Sequence, residues 1–529
     1  MGGDQPAASL EDVITQHLDP AGAPAGGGAT SVIPGAPPRS APRRRRSLPV
    51  VLPAAAALAL GLLGIDRHDS MWRDESVTYQ VAHRSLGDLW GLLDHVDAVH
   101  GLYYLLMHAV FAVWGDGGLT ALRLPSALAT AVAAAGVGAT GARLAGRRAG
   151  TLAGLVFAVL PSTQQYAQEG RSYALVTAGV TWATYCFVRA VPHSRARWWT
   201  AYALTLALAC WLHAFAVLAL VAHALTLCWS RAPRQVWRRW GVAAACATVS
   251  LLPLAVVGAG QAEQQLGRLG RPSPSAWLLF LGLSAAGGLL CLLLVRAGSG
   301  GALVRLALPL LIAPSGLLMV LSLVEPWYVD RYVLYGTTGL AWPAGAALAW
   351  AVGQRHRLAP VPRALVAGLL AGVAVAVLLP WSSLVRSPQS RKDDVIAVAR
   401  AVQRTAREGD GVLFLPARRR EWLLSQPRVY DRLDDLALAE SPESSRTLQG
   451  TELPATEIRR RVLEADRVIA LTDPPGQPLD PFPAEQLKRR VLREHFEVCE
   501  RVPLLGAQLL VYARPGHCRP TPAPAAGRS

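Results

Sequence analysis

The stretch RRRRSLPVVLPAAAALALGLLGI (residues 43–65) decides how the rest of the chain is interpreted. Four arginines stand directly before an apolar run at 48–65, as in a first transmembrane helix whose preceding end stays in the cytoplasm. The residues before it are rich in Ala, Gly and Pro and have no apolar period. We therefore expect a disordered cytoplasmic tail at 1–46. A retained span should follow, because a cleaved signal peptide does not normally start 47 residues into a chain.

The composition is that of a membrane protein. The 529 residues are 52% hydrophobic and only 17% charged, whereas soluble domains carry about 25% charged residues. This excludes a soluble single-domain enzyme. The net charge of +16 comes from 52 basic residues, all but two of them arginine. They form short clusters between apolar runs, so we interpret them as a topology signal and expect no nucleic-acid partner.

Apolar runs alternate with short polar links as far as residue 386. About 20 apolar residues are needed to cross the hydrocarbon core of a bilayer. We predict about eleven spans, at 48–65, 122–142, 149–165, 172–191, 198–212, 214–230, 240–258, 276–295, 303–324, 336–354 and 364–384. The expected fold class is therefore a polytopic α-helical membrane protein, with a membrane region at 47–386.

The distribution of arginine orients these spans. Of the 20 arginines between 124 and 386, fifteen fall in one set of links and five in the other, and all four acidic residues of that segment share the second set. By the positive-inside rule the first set and the N-terminus are cytoplasmic. The first loop (66–121) and everything after residue 386 then face outwards, across a cell membrane.

Two segments depart from the spanning pattern. The run GLYYLLMHAVFAVW (101–114) is only 14 residues long, and counting it as a span would invert every later link, so we predict an interfacial helix. Residues 387–529 contain many charges and short apolar runs at 411–415, 466–470 and 509–513. With helical stretches near 393–407, 455–465 and 484–496, they predict an extracytoplasmic α/β domain. Cys499 and Cys518 can pair there if the compartment is oxidising.

The first loop carries the most informative motif, MWRDE (71–75). A carboxylate near a bilayer surface is costly to dehydrate unless it has a partner or a function. Asp74 and Glu75 are adjacent, so they cannot face the same point on a helix. One could accept a proton from a reacting hydroxyl while the other holds a structural partner. The alternative is a pair of solvated loop acids.

Further polar side chains lie at the same predicted side of the membrane. Arginine binds phosphate through a planar fork of donors, so outward arginines are candidates for a lipid phosphate. The alternative is that each pairs with a neighbouring acid or anchors a helix end, and that the histidines are packed turn residues. The candidate substrate-binding residues are Arg123, Arg171, Tyr173, His213, Arg331, Tyr332 and His100.

The sequence favours no cofactor. Asp94, His95, Asp97 and His100 are close together, so a divalent cation stays an alternative, but no metal-ligand spacing with a firm mechanism appears. There is also no phosphate-binding loop, no dinucleotide fingerprint after a strand and no GxSxG motif. ATP-driven and dinucleotide chemistry are therefore disfavoured.

Several motifs together resemble the GT-C fold membrane glycosyltransferases. They are MWRDE (71–75), HGLYYLLMH (100–108), ALRLPSALA (121–129), YAQEGRSYAL (166–175), WLHAF (211–215) and VDRYVLY (329–335). Their order is most similar to glycosyltransferase family 39-like proteins of actinobacterial type, usually called mannosyltransferases. The resemblance covers residues 48–386, and the soluble tail is also typical of that group.

This resemblance implies a polyprenyl-phosphate-linked sugar as donor and transfer on the outer face with inversion. It implies Asp74 as general base with Glu75 as its neighbour or substitute, and Arg123, Arg171 and Arg331 on the lipid phosphate. The acceptor is left open between a protein, a glycolipid and a cell-wall polymer, because HGLYY replaces the His-Pro-Pro-Leu run of many relatives. The alternatives are a polytopic transporter of lipid-linked or small solutes and a non-catalytic membrane scaffold.

Overall fold

Apolar helices dominate the computed structural model, which describes residues 43–353, 376 and 378–518, apart from 116, 194, 267–269 and 299. The described residues from Arg46 onwards belong to one compact unit. Most of the predicted tail, residues 1–42, lies outside the described residues. Residues 43–46, assigned above to that tail, instead begin the first helix, because arginine is a good helix former and the apolar run follows directly.

Fourteen α-helices occupy the described residues up to Gly353. They are α1 Arg43–Leu62, α2 Arg73–Ala82, α3 Leu86–Leu93, α4 Gly101–Trp114, α5 Gly118–Ala145, α6 Arg147–Val159, α7 Pro161–Ala167, α8 Tyr173–His193, α9 Ala196–Leu212, α10 Ala219–Trp229, α11 Arg234–Leu266, α12 Pro274–Arg296, α13 Gly301–Leu321 and α14 Thr338–Gly353. Short 3₁₀ turns lie at Ala98–His100, Ala214–Leu218 and Asp330–Thr337.

Five of these helices, α5, α8, α11, α12 and α13, are long and apolar enough to cross a membrane. Helix α12 shows why a bilayer suits them: Leu278 and Leu279 are 72% and 61% exposed, and such a contiguous apolar surface is unfavourable in water. Helices also occupy each of the other predicted spans up to 354. The eleventh span, 364–384, lies largely outside the described residues, so the number eleven stays a prediction.

Helix boundaries differ from the predicted spans at three places. The predicted span 149–165 divides into α6 and α7 at Leu160, because Pro161 disfavours helical angles in the residue before it. The predicted span 214–230 contains a 3₁₀ turn and only eleven residues of α-helix. Helix α11 is 33 residues long, roughly 50 Å at 1.5 Å per residue, and so extends well beyond the predicted 240–258.

Helices α2, α3 and α4 form the first loop. The predicted helix at 101–114 is present as α4, and it buries Tyr103, Tyr104 and Met107 completely while Val113 and Trp114 stay exposed. One face of α4 therefore packs into the protein core. Its location at a membrane interface remains a prediction.

The C-terminal domain has the predicted α/β character. Its helices are α15 Val395–Thr405, α16 Arg420–Leu424, α17 Pro427–Tyr430, α18 Ala455–Glu464 and α19 Pro483–His495. Its strands are β1 Gly411–Leu415, β2 Asp434–Asp435, β3 Leu438–Glu440, β4 Thr451–Glu452, β5 Arg467–Thr472, β6 Glu497–Leu504 and β7 Ala507–Ala513. All three predicted strands and all three predicted helices are present.

The main sheet has the strand order β2-β1-β5-β7-β6. Strand β1 is parallel to β2 and β5, while β5–β7 and β7–β6 are antiparallel. Helix α15 packs on one face of the sheet and α18 and α19 on the other. Strand β6 was not predicted because it is a half-exposed edge strand without a continuous apolar run. Cys499 at this edge forms a disulfide with Cys518.

Candidate active site

The MWRDE motif forms the N-terminal end of helix α2. Trp72 has extended backbone angles (φ −94°, ψ 165°), and the helix begins at Arg73. Asp74 and Glu75 both lie in the first turn, where negative charge stabilises the exposed N–H groups of a helix. Successive residues of a helix point about 100° apart, so the two carboxylates enter different surroundings.

Glu75 is completely buried and fully paired. Its carboxylate binds the guanidinium of Arg67 and that of Arg123, at 2.7 Å from Nε, and it accepts a hydrogen bond of 2.9 Å from the Gly170 N–H. Burial would raise the pKa of Glu75, but Arg123 and Arg67 outweigh it and lower the pKa to about 2. Glu75 is therefore ionised at neutral pH and holds three segments of the chain together.

Arg123 lies in a different place from the one expected of a phosphate ligand. Its side chain is fully buried, and besides Glu75 it donates to the carbonyl oxygens of Ile65 at 2.6 Å and Ser70 at 2.5 Å. All of its nitrogens are engaged within the protein. The sequence could not separate Arg123 from the other predicted arginines, because its partner is 48 positions away.

Asp74 is the accessible carboxylate of the pair, with 20% of its side chain exposed. One oxygen lies 3.4 Å from the Arg331 guanidinium and the other 3.5 Å from Arg73 Nε. Arg331 in turn donates through Nε to the Tyr173 hydroxyl at 3.1 Å. It also lies within 5.7 Å of the ring centres of Trp72, Tyr173 and Tyr332. Asp74 and Arg331, 257 positions apart, thus meet as the sequence predicted.

Arg171 lies deeper in the same cluster. It is buried and donates to Thr78 Oγ1 at 3.3 Å and to the Tyr104 hydroxyl at 3.5 Å. The Tyr104 hydroxyl donates to Asp97 at 2.6 Å. Burial raises the pKa of Asp97, and Arg171 and Tyr104 oppose this. Arg171 Nε has no hydrogen-bond partner among the described residues, so one donor remains for a bound anion.

Aromatic and imidazole rings complete the cluster. The His213 ring centre is 4.4 Å from that of Tyr332, 5.8 Å from Tyr173 and 6.0 Å from His100. Both histidines are buried, and Nδ1 of each lacks a hydrogen-bond partner within the described part of the chain. Burial, Arg171 and His213 lower the pKa of His100 well below its ordinary value. Its ring is therefore neutral at pH 7.

The C-terminal domain contributes two residues that sequence reasoning missed. Asp393 accepts a hydrogen bond of 2.8 Å from the Arg73 N–H, the first N–H of helix α2, and Asp394 accepts a longer one from the Met71 N–H at 3.4 Å. The Val395 N–H donates to the Met71 carbonyl at 2.7 Å. Asp393 thus caps α2 from 320 positions away, since the Trp72 side chain cannot. The only signal was the acidic pair before a predicted helix.

No three His, Cys, Asp or Glu side chains are grouped to hold a metal ion in the portion of the chain described. The histidines and acids of 94–100 point to separate partners. His95 Nδ1 contacts the Gly91 carbonyl at 2.9 Å, Asp97 binds Tyr104, and His100 faces His213.

Comparison with known proteins gives two findings. Residues 101–258 match the family model of dolichyl-phosphate-mannose-protein mannosyltransferases, which is roughly 30% of the chain. Most of the chain is similar to crystal structures of ArnT from Cupriavidus metallidurans in the apo state and bound to undecaprenyl phosphate. Each is 14% identical and matches over 87% of this chain and 97% of ArnT, with TM-scores of 0.57 and 0.56. No curated protein sequence matches.

The resemblance to GT-C membrane glycosyltransferases is thereby confirmed. Identity at this level establishes the shared fold and nothing about substrate. The cluster around Asp74 lies where α2, the link at 168–172, the start of α8 and the turn at 330–337 converge.

Proposed function

We propose that the protein transfers a sugar, mannose, from a polyprenyl-phosphate donor to an acceptor hydroxyl on the outer face of the cell membrane. The observation that carries this proposal is the ion pair of an accessible carboxylate, Asp74, with the guanidinium group of Arg331, with the Arg171 guanidinium near enough to interact with the charge of Asp74. The fold shared with ArnT supports the lipid-linked donor, and the family model over 101–258 supports mannose.

In the proposed reaction Asp74 is the general base. Its carboxylate accepts the proton of the acceptor hydroxyl while that oxygen attacks the anomeric carbon of the donor sugar. The bond between this carbon and the phosphate oxygen breaks, and the electron pair leaves with the polyprenyl phosphate. Attack from the opposite side inverts the anomeric centre. A phosphate leaving group needs little protonation, so the reaction does not require a second carboxylate as general acid.

Arg331 and Arg171 would bind the donor phosphate and stabilise the charge that grows on it. Two features support this assignment. Arg331 is 19% exposed at its side chain, and it is held by Tyr173 with aromatic rings around it. Arg171 is oriented by Thr78 and Tyr104 but keeps one nitrogen unpaired. Nδ1 of His100 and of His213 are further unpaired groups suited to sugar hydroxyls.

Glu75 and Arg123 take a positioning role in this proposal. They bind each other and not the open part of the cluster, and with Arg67 they fix the first turn of α2 against the link at Gly170. Rigid placement of a base contributes to catalysis because the reacting atoms must already be aligned. In this proposal Asp74 therefore acts in catalysis, and its neighbour Glu75 holds helix α2 in position.

The test is transfer of radiolabelled mannose from polyprenyl-phosphate-mannose to endogenous acceptors in membranes. We expect Asp74→Asn to lose at least 100-fold in rate, since general-base catalysis is typically worth 10²–10⁴-fold. Asp94→Asn, an exposed carboxylate in the same loop, is the matched control and should retain full activity. Equal rates for wild type and Asp74→Asn, at equal amounts of folded protein, would remove Asp74 as the base. If the wild type transfers another lipid-linked sugar but not mannose, that other sugar is the donor sugar and the assignment of mannose is wrong.

A further inference from the structure

A large cleft separates the first loop from the C-terminal domain, on the side of α2 that faces away from Asp74. Its volume is about 990 Å³, and its walls come from α2, α3 and the start of α5 on one side and from α15, α16 and α17 on the other. Side chains at Tyr79, Gln80 and His83 are turned by about 120–180° around the helix from Asp74. The cleft therefore belongs neither to the carboxylate nor to the arginine cluster described above.

Two polar side chains that line the cleft are nearly completely buried, and each has one polar atom that makes no hydrogen bond. Gln80 is 8% exposed and donates through Nε2 to the Leu448 carbonyl at 2.9 Å, and Arg84 is 4% exposed and donates through Nη2 to the Thr447 carbonyl at 3.0 Å. Gln80 Oε1 has no hydrogen-bond partner in the described chain, and Arg84 Nε has only the Glu443 carboxylate at 3.9 Å, beyond hydrogen-bonding distance. A buried polar atom without a partner costs about 1–3 kcal/mol, so these fixed atoms suit a ligand.

The charges of the cleft balance one another. Asp69 of the first loop pairs with Arg400 of the C-terminal domain, and Arg84 of the first loop lies 3.9 Å from Glu443 of that domain. Asp88 and Arg428 complete a set of three carboxylates and three guanidinium groups along the walls. A phosphate-bearing or otherwise highly charged ligand would find no excess of opposite charge here. The cleft thus suits a neutral polar molecule.

The remaining groups favour a saccharide over a peptide. A hydroxyl both donates and accepts a hydrogen bond, so one kind of group satisfies Gln80 Oε1 and Arg84 Nε together. The rings of Tyr79 and His83 pack on each other and on Phe111, with centres 4.2–5.3 Å apart, and add apolar surface to the lining of the cleft beside these polar atoms. Within the described residues the lining comes from helices and loops alone, so a peptide would find no strand edge to extend.

We propose that this cleft binds a neutral oligosaccharide, the acceptor, through sugar units remote from the one that reacts. The inference rests on the proposed function and adds a substrate class to it. An acceptor in the cleft must pass around the N-terminal end of α2, near Met71, to reach Asp74. Because a helix with its side chains is about 10–12 Å across, only an acceptor of several sugar units can occupy both places.

The experiment measures binding of the purified full-length protein, in detergent, to an array of neutral oligosaccharides of one to eight units and of Ser/Thr peptides. We expect at least one oligosaccharide series to bind, with a signal that rises with length. Gln403→Trp should narrow the cleft and weaken that binding at least tenfold, and His83→Ala should weaken it several-fold. Arg404→Ala, the exposed neighbour on α15 outside the lining, is the matched control and should bind like wild type.

Any of three results would overturn the inference. The wild type could bind no neutral oligosaccharide, or it could bind peptides alone. The affinity for the bound oligosaccharide could also be unchanged in Gln403→Trp and His83→Ala. Asp74→Asn should bind as well as wild type. If that variant and the wild type bind equally but neither transfers sugar, the proposed function fails while the cleft assignment stands, so the two failures are distinguishable.

Discussion

Removal of the Asp393 carboxylate should lower turnover without unfolding the protein. Asp393 accepts the first N–H of helix α2, directly before Asp74. Its backbone is held from behind by the turn between β6 and β7, where the Asp394 N–H donates to the Leu505 carbonyl at 3.3 Å. A Cβ at Gly506 would come within 2.4 Å of Asp393. The cap is thus fixed by the C-terminal domain.

The expected size follows from the capping energy. Loss of a helix cap costs about 1–2 kcal/mol. If that energy holds Asp74 in its reactive position, the fraction of molecules with Asp74 in that position falls by up to about 5–30-fold. We therefore expect Asp393→Ala to lower kcat by that factor. The KM for the donor should change little, because Arg171 and Arg331 lie on other segments. Asp393→Asn keeps an oxygen acceptor and should lose only a few-fold.

The pH dependence separates charge from hydrogen bonding. Burial raises the pKa of Asp393 to about 6, against the hydrogen bond and charge of Arg73; Asp74 raises it further and Arg419 lowers it. Wild-type kcat should therefore fall as pH drops through 6 and the cap loses its charge. Asp393→Asn should lack that component of the profile. Lys392→Ala, an exposed neighbour, is the control and should keep it.

The free energy of unfolding should change with pH in the opposite direction to kcat. Since the folded pKa lies above the unfolded value of 3.8, Asp393 adds stability that is complete below pH 3.8 and disappears as pH rises through 6. In the folded chain the ionised group is thus about 3 kcal/mol less favourable than the protonated one, and this balance already includes the hydrogen bond from the Arg73 N–H. At pH 7.5 Asp393→Ala should consequently unfold in detergent at a temperature no lower than that of the wild type. A wild-type kcat for Asp393→Ala from pH 5 to 8, or a loss of kcat matched by loss of folded protein, would refute this reasoning.

The remaining predictions concern the other members of the site and the topology. Glu75→Gln should destabilise the protein by about 3–5 kcal/mol, because it leaves two buried guanidinium groups uncompensated; an unchanged unfolding temperature would contradict this. Arg331→Ala should lower the rate with lipid-linked donor by about 100-fold, and Arg331→Lys should recover part of it; equal rates for both would exclude phosphate binding by the planar fork. In a background without exposed native cysteines, Gln477→Cys should react with an impermeant thiol reagent in intact cells and Gln235→Cys should not; the reverse would invert the proposed orientation.

The helices and strands were predictable because their signals are local. Apolar runs of membrane-spanning length and the short runs 411–415, 466–470 and 509–513 each fix the state of their own segment. The boundaries failed where a local interruption, such as Pro161, or a half-exposed edge, such as β6, weakened the pattern. Side-chain partners could not be predicted in this way. Glu75 and Arg123 are 48 positions apart, and Arg73 and Asp393 are 320 positions apart. Hydrophobic periodicity carries no information about contacts between residues so far apart in the sequence.

The adjacent carboxylates show which part of a site sequence reasoning can reach. It predicted that Asp74 and Glu75 cannot face one point, since neighbouring helix residues diverge by about 100°. It did not predict which of them is buried, because that depends on where Arg67 and Arg123 converge. The same divergence connects the active site with the acceptor cleft. Helix α2 presents Asp74 on one side and Tyr79 and Gln80 on the other, with His83 directly after its last residue, and its first N–H is capped from the C-terminal domain. A domain that both caps this helix and forms the far wall of the cleft can couple the placement of the base to the binding of the acceptor.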